Sequence, residues 1–355
     1  MDDFFFDYES DLVSRFEHML AQDQTAFFDS QELVEIIAHY IDLGALNKVR
    51  KALDFAHHLF PQNFDLQLKE VEYHIFSQDA TRAWKTLKRV YQANPTHAEV
   101  LILAAKIQSM KSEHQLAVSL LAKALPITDD KAEIYGLLGM EYYNMGRYRK
   151  ALNLYKKTLA IDPTDEPDFF NALLCFDALE APEEAIGFIE RFIDENPYSD
   201  AAWSQLGRQH EKRRDYKKAV WAYDYAISID EKCIGAYYAK AAALEKMRRF
   251  DQAIPVYLEA LGISGYSALS HYKIGRCYRK MDRLQKALYF FCRVVYEAPQ
   301  HDLAWNEMAV IHLKSKDFQR ALYCTCQGIE LNPRHIGYWK RFAYLSVRLG
   351  FFRRS

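Results

Sequence analysis

The chain has 355 residues, 50% of them apolar and 26% charged, a balance too apolar for a disordered chain and ordinary for a folded one. Its formal net charge of −2 excludes a uniformly basic nucleic-acid binder. No apolar run approaches the roughly 18 residues that a membrane helix needs, and Met1-Asp2-Asp3 is acidic where a secretory leader is basic, so a cytoplasmic protein with no membrane contact is expected.

Residues 1–29 precede any repeat. Leu12, Phe16 and Leu20 stand at helical spacing, which predicts an N-terminal helix that caps the first repeat. The alternative for this segment is a partner-binding motif in its Phe4-Phe5-Phe6 run among aspartates.

From residue 30 the chain is periodic. Ala83, Ala117, Ala151, Ala185, Ala219, Ala253, Ala287 and Ala321 each follow the last by 34 residues. Pro61, Pro95, Pro163, Pro197, Pro299 and Pro333 keep the same period. With each proline as position 32, units begin at Ser30, Phe64, Ala98, Ala132, Glu166, Asp200, Ile234, Ala268, Asp302 and Ile336. Nine complete units thus fill residues 30–335, and the first helix of an incomplete tenth occupies 336–355.

Within a unit, apolar residues recur at helical spacing over positions 3–14 and again over 18–31, with a polar break between, so each unit is predicted to be a helical hairpin. In the fourth, Ile134, Tyr135, Leu138, Gly139 and Tyr142 form one stripe and Ala151, Leu152, Tyr155 and Leu159 the other. Asn144-Met145-Gly146-Arg147 makes the turn between them, and Pro163 ends the return helix. The small residues at position 8, such as Gly139, Gly207 and Gly275, are expected to face the position 20 alanine and let two backbones approach. Trp203, Trp305 and Trp339 at position 4 are expected to be knobs in the groove between hairpins. Pro255, inside the seventh return helix and followed by Gly262 and Gly265, predicts a bend.

Trp or Tyr at 4, Leu at 7, Gly or Ala at 8, Tyr at 11, Ala at 20, Phe or Tyr at 24, Ala at 27 and Pro at 32 resemble the tetratricopeptide repeat, over residues 30 to 355 and without an insertion. Val49 at position 20 of the first unit, Leu173 at position 8 of the fifth and Thr325 at position 24 of the ninth depart from the pattern. The resemblance implies an all-α fold, an α-solenoid of stacked helical hairpins wound as a right-handed superhelix, and a non-catalytic scaffold that binds other proteins.

Nothing in the chemistry of the residues points elsewhere. There is no glycine-rich phosphate loop or nucleophile elbow, so no enzyme and no cofactor are expected. Cys175, Cys277, Cys292, Cys324 and Cys326 fall in helices at spacings unlike a zinc site, and His74, His210 and His312 share position 11 with tyrosines, so free core thiols, core rings and no metal are expected.

Charge is unevenly placed: residues 1–199 hold 19 Lys and Arg against 33 Asp and Glu, and residues 200–355 hold 27 against 15. The family resemblance implies that positions 2, 5, 6, 9, 12 and 13 of each first helix line a concave groove. In the later units these are Ser204, Gln205, Arg208, Glu211 and Lys212; Tyr238, Glu245 and Lys246; Tyr272, Lys273, Arg276, Arg279 and Lys280; Asn306, Glu307 and Lys314; and Lys340, Arg341, Tyr344 and Arg348, a mainly basic set with interspersed aromatics. In the early units they are Glu35, Asp42, Asp65, Glu72, Glu99, Glu133 and Asp177, with Lys69 and Lys106 as exceptions. The expected partner is therefore a protein or peptide with an acidic, extended or helical segment. The carboxylate clamp of some family members is not matched: Asn171 stands at position 6 without its lysines and arginine. Single-stranded nucleic acid, tracked by the basic residues and stacked on Tyr238, Tyr272 and Tyr344, is the alternative, disfavoured by the acidic first half. At the far end Trp339, Phe342 and Leu345 are expected to lack a covering layer and to offer a surface for self-association.

Overall fold

The computed structural model describes residues 2–22, 27–265 and 267–351, and among them every regular element is an α-helix, twenty in chain order. After α1 (Asp2–Gln22) the helices alternate as first and return helices of hairpins. All nine return helices, from α3 (Leu46–Leu59) to α19 (Phe318–Leu331), start at position 17 of the 34-residue frame. Contacts divide the chain into two compact units, Met1–Ala181 and Pro182–Ser355. Within each, successive helices pack side by side as a stack of hairpins, which is the α-solenoid architecture.

The turn after each first helix obeys one backbone rule. Position 15 has positive φ in every repeat: it is Gly44, Gly146 and Gly350 in three, and Gln78, Ser112, Glu180, Arg214, Arg248, Asp282 and Lys316 in the other seven. The next residue's N–H then reaches back five residues, as Asp317 does to the His312 carbonyl at 2.9 Å. This closure satisfies the last helical carbonyls but holds an L-residue where its Cβ crowds the carbonyl. Lys316→Gly is therefore expected to raise stability by about 0.5–1 kcal/mol, the relieved crowding outweighing glycine's extra unfolded-state freedom. A higher thermal midpoint is the check.

The packing adds detail to three of the expectations from the sequence. First, the nearest side chain to the position 8 glycines is the ring at position 24: a Cβ on Gly139 would meet Tyr155 at 2.6 Å, and one on Gly275 would meet Phe291 at 2.8 Å. Second, the position 4 tryptophans pack against neighbouring rings and are also anchored by a hydrogen bond. The indole N–H of Trp203, Trp305 and Trp339 donates to the carbonyl of Pro197, Pro299 and Pro333, six residues earlier, pinning each first helix to the loop before it. Third, α15 (Phe250–Ser264) runs unbroken through Pro255.

At the start of the chain Leu12, Phe16 and Met19 are buried in one core with α2 (Ser30–Asp42) and α3, Phe16 lying edge-on to Phe28 and Phe55 at 5.5 and 5.7 Å. Leu20 is 45% exposed, because the buried stripe passes through Met19 instead. The side chains of Phe4, Phe5 and Phe6 lie outside the described residues. At the other end Leu345 is fully buried and Trp339 is 48% exposed, so the expected uncovered face is narrower than its apolar spacing suggests. Residues 352–355 lie outside the described residues.

Candidate functional site

The first helices of the second unit carry the basic positions: α12 (Asp200–Lys212), α14 (Ile234–Lys246), α16 (Ala268–Lys280), α18 (Asp302–Lys314) and α20 (Ile336–Arg348). Two adjoining hollows form along the first three. One, of about 640 Å3, is lined by Arg208, Glu211, Lys212, Arg214, Tyr216 and Lys246. The other, of about 390 Å3, is lined by Ala242, Glu245, Lys246, Arg248, Phe250, Lys273, Arg276 and Lys280. Lys246 is common to both. Six of the basic residues singled out from the sequence are thus brought together.

The electrostatics of this stretch are one-sided. Glu211 and Glu245, the two carboxylates in the hollows, each accept a hydrogen bond from a buried position 24 hydroxyl, Tyr223 at 2.9 Å and Tyr257 at 2.6 Å. Burial, and then the neighbouring carboxylate, push both phenols well above their usual range and keep them as donors. Arg208, Lys246, Lys273, Arg276 and Lys280 have no ion-pair partner among the described residues. A surplus of cations facing open hollows attracts a mobile anion more than it stabilises the fold.

The remaining candidates are placed differently. Arg279 forms an ion pair with Glu307 at 2.6 Å, Arg341 donates to Asn306 Oδ1 at 2.7 Å, and Lys314 pairs with Asp282. Burial lowers the pKa of the Arg341 guanidinium, and that cation is part of the packing between two first helices. The Tyr238 hydroxyl bonds to Ser267 at 3.1 Å and to Ser270, at the start of α16. Tyr272 lies against His301 and Phe291 at 4.8 and 5.8 Å, with Arg276 5.9 Å from its ring centroid. Tyr344 accepts from Arg348 Nε at 3.1 Å, and Lys340 is exposed. None of these last residues lines either hollow except Arg276.

Sequence reasoning missed Arg214 and Arg248. Both stand at position 15, the positive-φ residue of the turn, and line the hollows beside the helices. The frame contained the signal, since position 15 is basic in three neighbouring units of four, at Arg214, Arg248 and Lys316.

In the first unit Glu72, Glu99 and Glu133 come together in a third hollow, with Lys106, His97 and the loop residues Asp129 and Asp130. Lys106 pairs with Glu133 at 3.0 Å and Lys69 with Glu72 at 2.8 Å. Burial, followed by the charge of Glu72, raises the Glu99 carboxyl above its usual range. This acidic hollow and the two basic hollows along α12, α14 and α16 therefore occupy different units.

Some of the sulfur and imidazole groups behave as core, whereas Cys292 is exposed and Cys233 and Cys326 are half-buried. Cys175, Cys277 and Cys324 are buried, and burial pushes their thiols up to about 12, 12 and 11, the direction that disarms a nucleophile. Burial lowers His210 and His312, keeping both neutral. His74 differs from these two, because it faces a carboxylate, Glu70, at 3.7 Å. Asp200, Asp230 and Cys233 place three donor atoms within 4.8 Å of one another, with Asp230 already accepting from the Lys232 N–H at 2.9 Å. No helix of the described residues is long and apolar enough to cross a membrane.

The chain is 27% identical over 161 residues to the TPR repeat-containing protein YpiA of Bacillus subtilis, covering 44% of this chain and 38% of that one. To Anaphase-promoting complex subunit 3 of Schizosaccharomyces pombe it is 24% identical over 153 residues, covering 43% and 23%. The chain spans less than half the length of either relative. Among solved structures it is similar to YrrB, a TPR protein with an unusual peptide-binding site, at 18% identity and a TM-score of 0.45 over 52% of this chain and 96% of that one. The tetratricopeptide repeat family matches residues 132–165, 234–265 and 268–301, and each match begins at position 1 of the 34-residue frame. With that register shared between the matched repeats and the helical hairpins, the chain carries tetratricopeptide repeats.

Proposed function

We propose that the protein is a non-catalytic scaffold that captures an acidic peptide segment of a partner protein along α12, α14 and α16. The observation that carries this reading is the pair of hollows sharing Lys246, where five cations lack an ion-pair partner among the described residues and both carboxylates are engaged by buried tyrosines. An incoming carboxylate pairs with Lys or Arg there without displacing an existing ion pair, and the Tyr216 and Phe250 rings at the edges cover its apolar stem.

A peptide suits this surface better than a single-stranded nucleic acid. Of the three rings on which bases would stack, Tyr238 is tied to Ser267 and Ser270 of the next hairpin and Tyr272 packs on Phe291 within its own, leaving Tyr344 exposed, and the first unit presents carboxylates to any long polyanion. The deciding experiment titrates the protein against a fluorescent Asp/Glu-rich peptide and against an oligothymidine of equal charge at two salt concentrations. Tighter binding of the peptide supports the scaffold reading; tighter binding of the oligonucleotide overturns it.

The same reading assigns residues 1–29 as a cap on the first hairpin, supported by the burial of Leu12, Phe16 and Met19, and residues 30–335 as one array of nine repeats. It places the protein in the cytoplasm, supported by six free cysteines. Self-association through α20 would use Ile336, Trp339 and Val347, which are exposed.

A further inference from the structure

The second hairpin breaks the repeat pattern at a core position. Position 7 is apolar in eight of the other nine units, such as Ile36, Ala104, Leu138 and Met308, and is Lys240 in the seventh; here it is Glu70, the one acidic residue at this position, on α4 (Phe64–Phe76). Its carboxylate lies between two imidazoles, His57 Nε2 of α3 at 3.3 Å and His74 Nε2 at 3.7 Å. The His57 imidazole holds the Glu70 carboxyl below its usual range, and Glu70 in turn raises His57. A half-buried charge is thereby balanced by its neighbours.

Beside this trio opens a hollow of about 550 Å3, lined by Pro61 and Gln67 as well, and walled by α5 (Ala80–Ala93). Arg82, Lys85 and Arg89 stand on one face of α5 at i, i+3 and i+7, with Thr86 among them. Arg82 pairs with Asp79 at 3.2 Å, whereas Lys85 and Arg89 have no ion-pair partner among the described residues. Glu70 is the one carboxylate in the lining, and it already faces two imidazoles. This wall belongs to a return helix of the first unit, so it is separate from the basic hollows on the first helices of the second.

We propose that this hollow binds a phosphate monoester, carried on a phosphorylated side chain of a partner segment. Two cations without partners match the charge of a phosphate dianion. A guanidinium fork, an ammonium and the Thr86 hydroxyl supply donors suited to tetrahedral oxygens, where a carboxylate offers one charge and two oxygens. The volume falls in the range of pockets that hold a small ligand, with room for the residue bearing the phosphate, and the exposed rim admits a passing chain.

The test titrates the full chain with a short uncharged peptide containing one phosphoserine, its unphosphorylated form and inorganic phosphate, followed by calorimetry. The phosphopeptide is expected to bind, the unphosphorylated form not to, and inorganic phosphate to bind more weakly than the phosphopeptide. Lys85→Glu with Arg89→Glu, both exposed and outside the core, is expected to weaken phosphopeptide binding at least about tenfold. Lys246→Glu with Lys280→Glu is expected to leave it unchanged, which separates this site from the acidic-peptide surface. Equal binding of the two peptides, or retention of binding in the Lys85/Arg89 variant, overturns the site. Inorganic phosphate binding as tightly as the phosphopeptide overturns its assignment to a phosphorylated chain.

Discussion

Changing Lys246, Arg276 and Lys280 together to glutamate is expected to weaken binding of an acidic peptide roughly 100-fold while leaving the thermal midpoint nearly unchanged. An exposed ion pair contributes about 0.2–1 kcal/mol. Reversing a charge replaces that attraction with a repulsion of similar size, so three reversals amount to about 3 kcal/mol. Stability is spared because none of the three has an ion-pair partner among the described residues, and so none leaves an orphaned carboxylate. Arg279 is left in place for the opposite reason: it pairs with Glu307 at 2.6 Å, and its reversal would set two carboxylates together and confuse folding with binding. Anisotropy titrations of wild type and variant at low and moderate salt provide the measurement. Wild-type affinity falls as salt screens the hollows, and the gap between the two proteins narrows with it. Undiminished binding by a folded variant would show that the peptide is held elsewhere.

The 34-residue frame made the hairpins legible, down to the start of each return helix, because helix, turn and proline recur in fixed phase. Depth was less legible than direction. Leu20 and Met19 are adjacent and both apolar, and only the packing of α1 on α2 and α3 decides that Met19 is buried. Small residues at positions 8 and 20 explain a close approach of two helices but give no sign of which side chain fills the space over a glycine. In the structure it is the ring of Tyr155, Tyr223 or Phe291 at position 24 that fills the space glycine leaves. Charge sign along the first helices was legible, but pairing was not. Arg279 with Glu307, Arg341 with Asn306 and Lys314 with Asp282 join neighbouring hairpins, a relation that face assignment within one helix cannot supply. Those pairs removed Arg279, Arg341 and Lys314 from the set available to a ligand. His74 shows the same limit: at position 11 it resembled a core ring, and its role depended on an unusual glutamate four residues earlier.

Gly207→Ala is expected to lower stability by about 1–3 kcal/mol, although alanine favours a helix over glycine by roughly 1 kcal/mol. A Cβ at 207 would lie 2.5 Å from Cε1 of Tyr223, closer than carbon atoms approach without displacement. The ring cannot simply swing aside: Tyr223 is almost fully buried and its hydroxyl is held by Glu211 at 2.9 Å. The seventh hairpin bounds the cost from above, since Ala241 and Tyr257 occupy the same two positions there and Tyr257 still reaches Glu245 at 2.6 Å. A reseated ring is therefore expected rather than an unfolded hairpin. Gly187→Ala on α11 (Pro182–Glu195) is the matched control, because nothing lies within 4 Å of its added Cβ, and it is expected to gain stability. Chemical denaturation followed through Trp203 and Trp221, both in the sixth hairpin, reports the two signs directly. Displacing Tyr223 also loosens Glu211 in the hollow it shares with Arg208 and Lys246, so Gly207→Ala is expected to weaken acidic-peptide binding as the freed carboxylate competes for those cations. If both glycine variants gained stability, the close approach of Tyr223 would not be the reason for glycine at position 8.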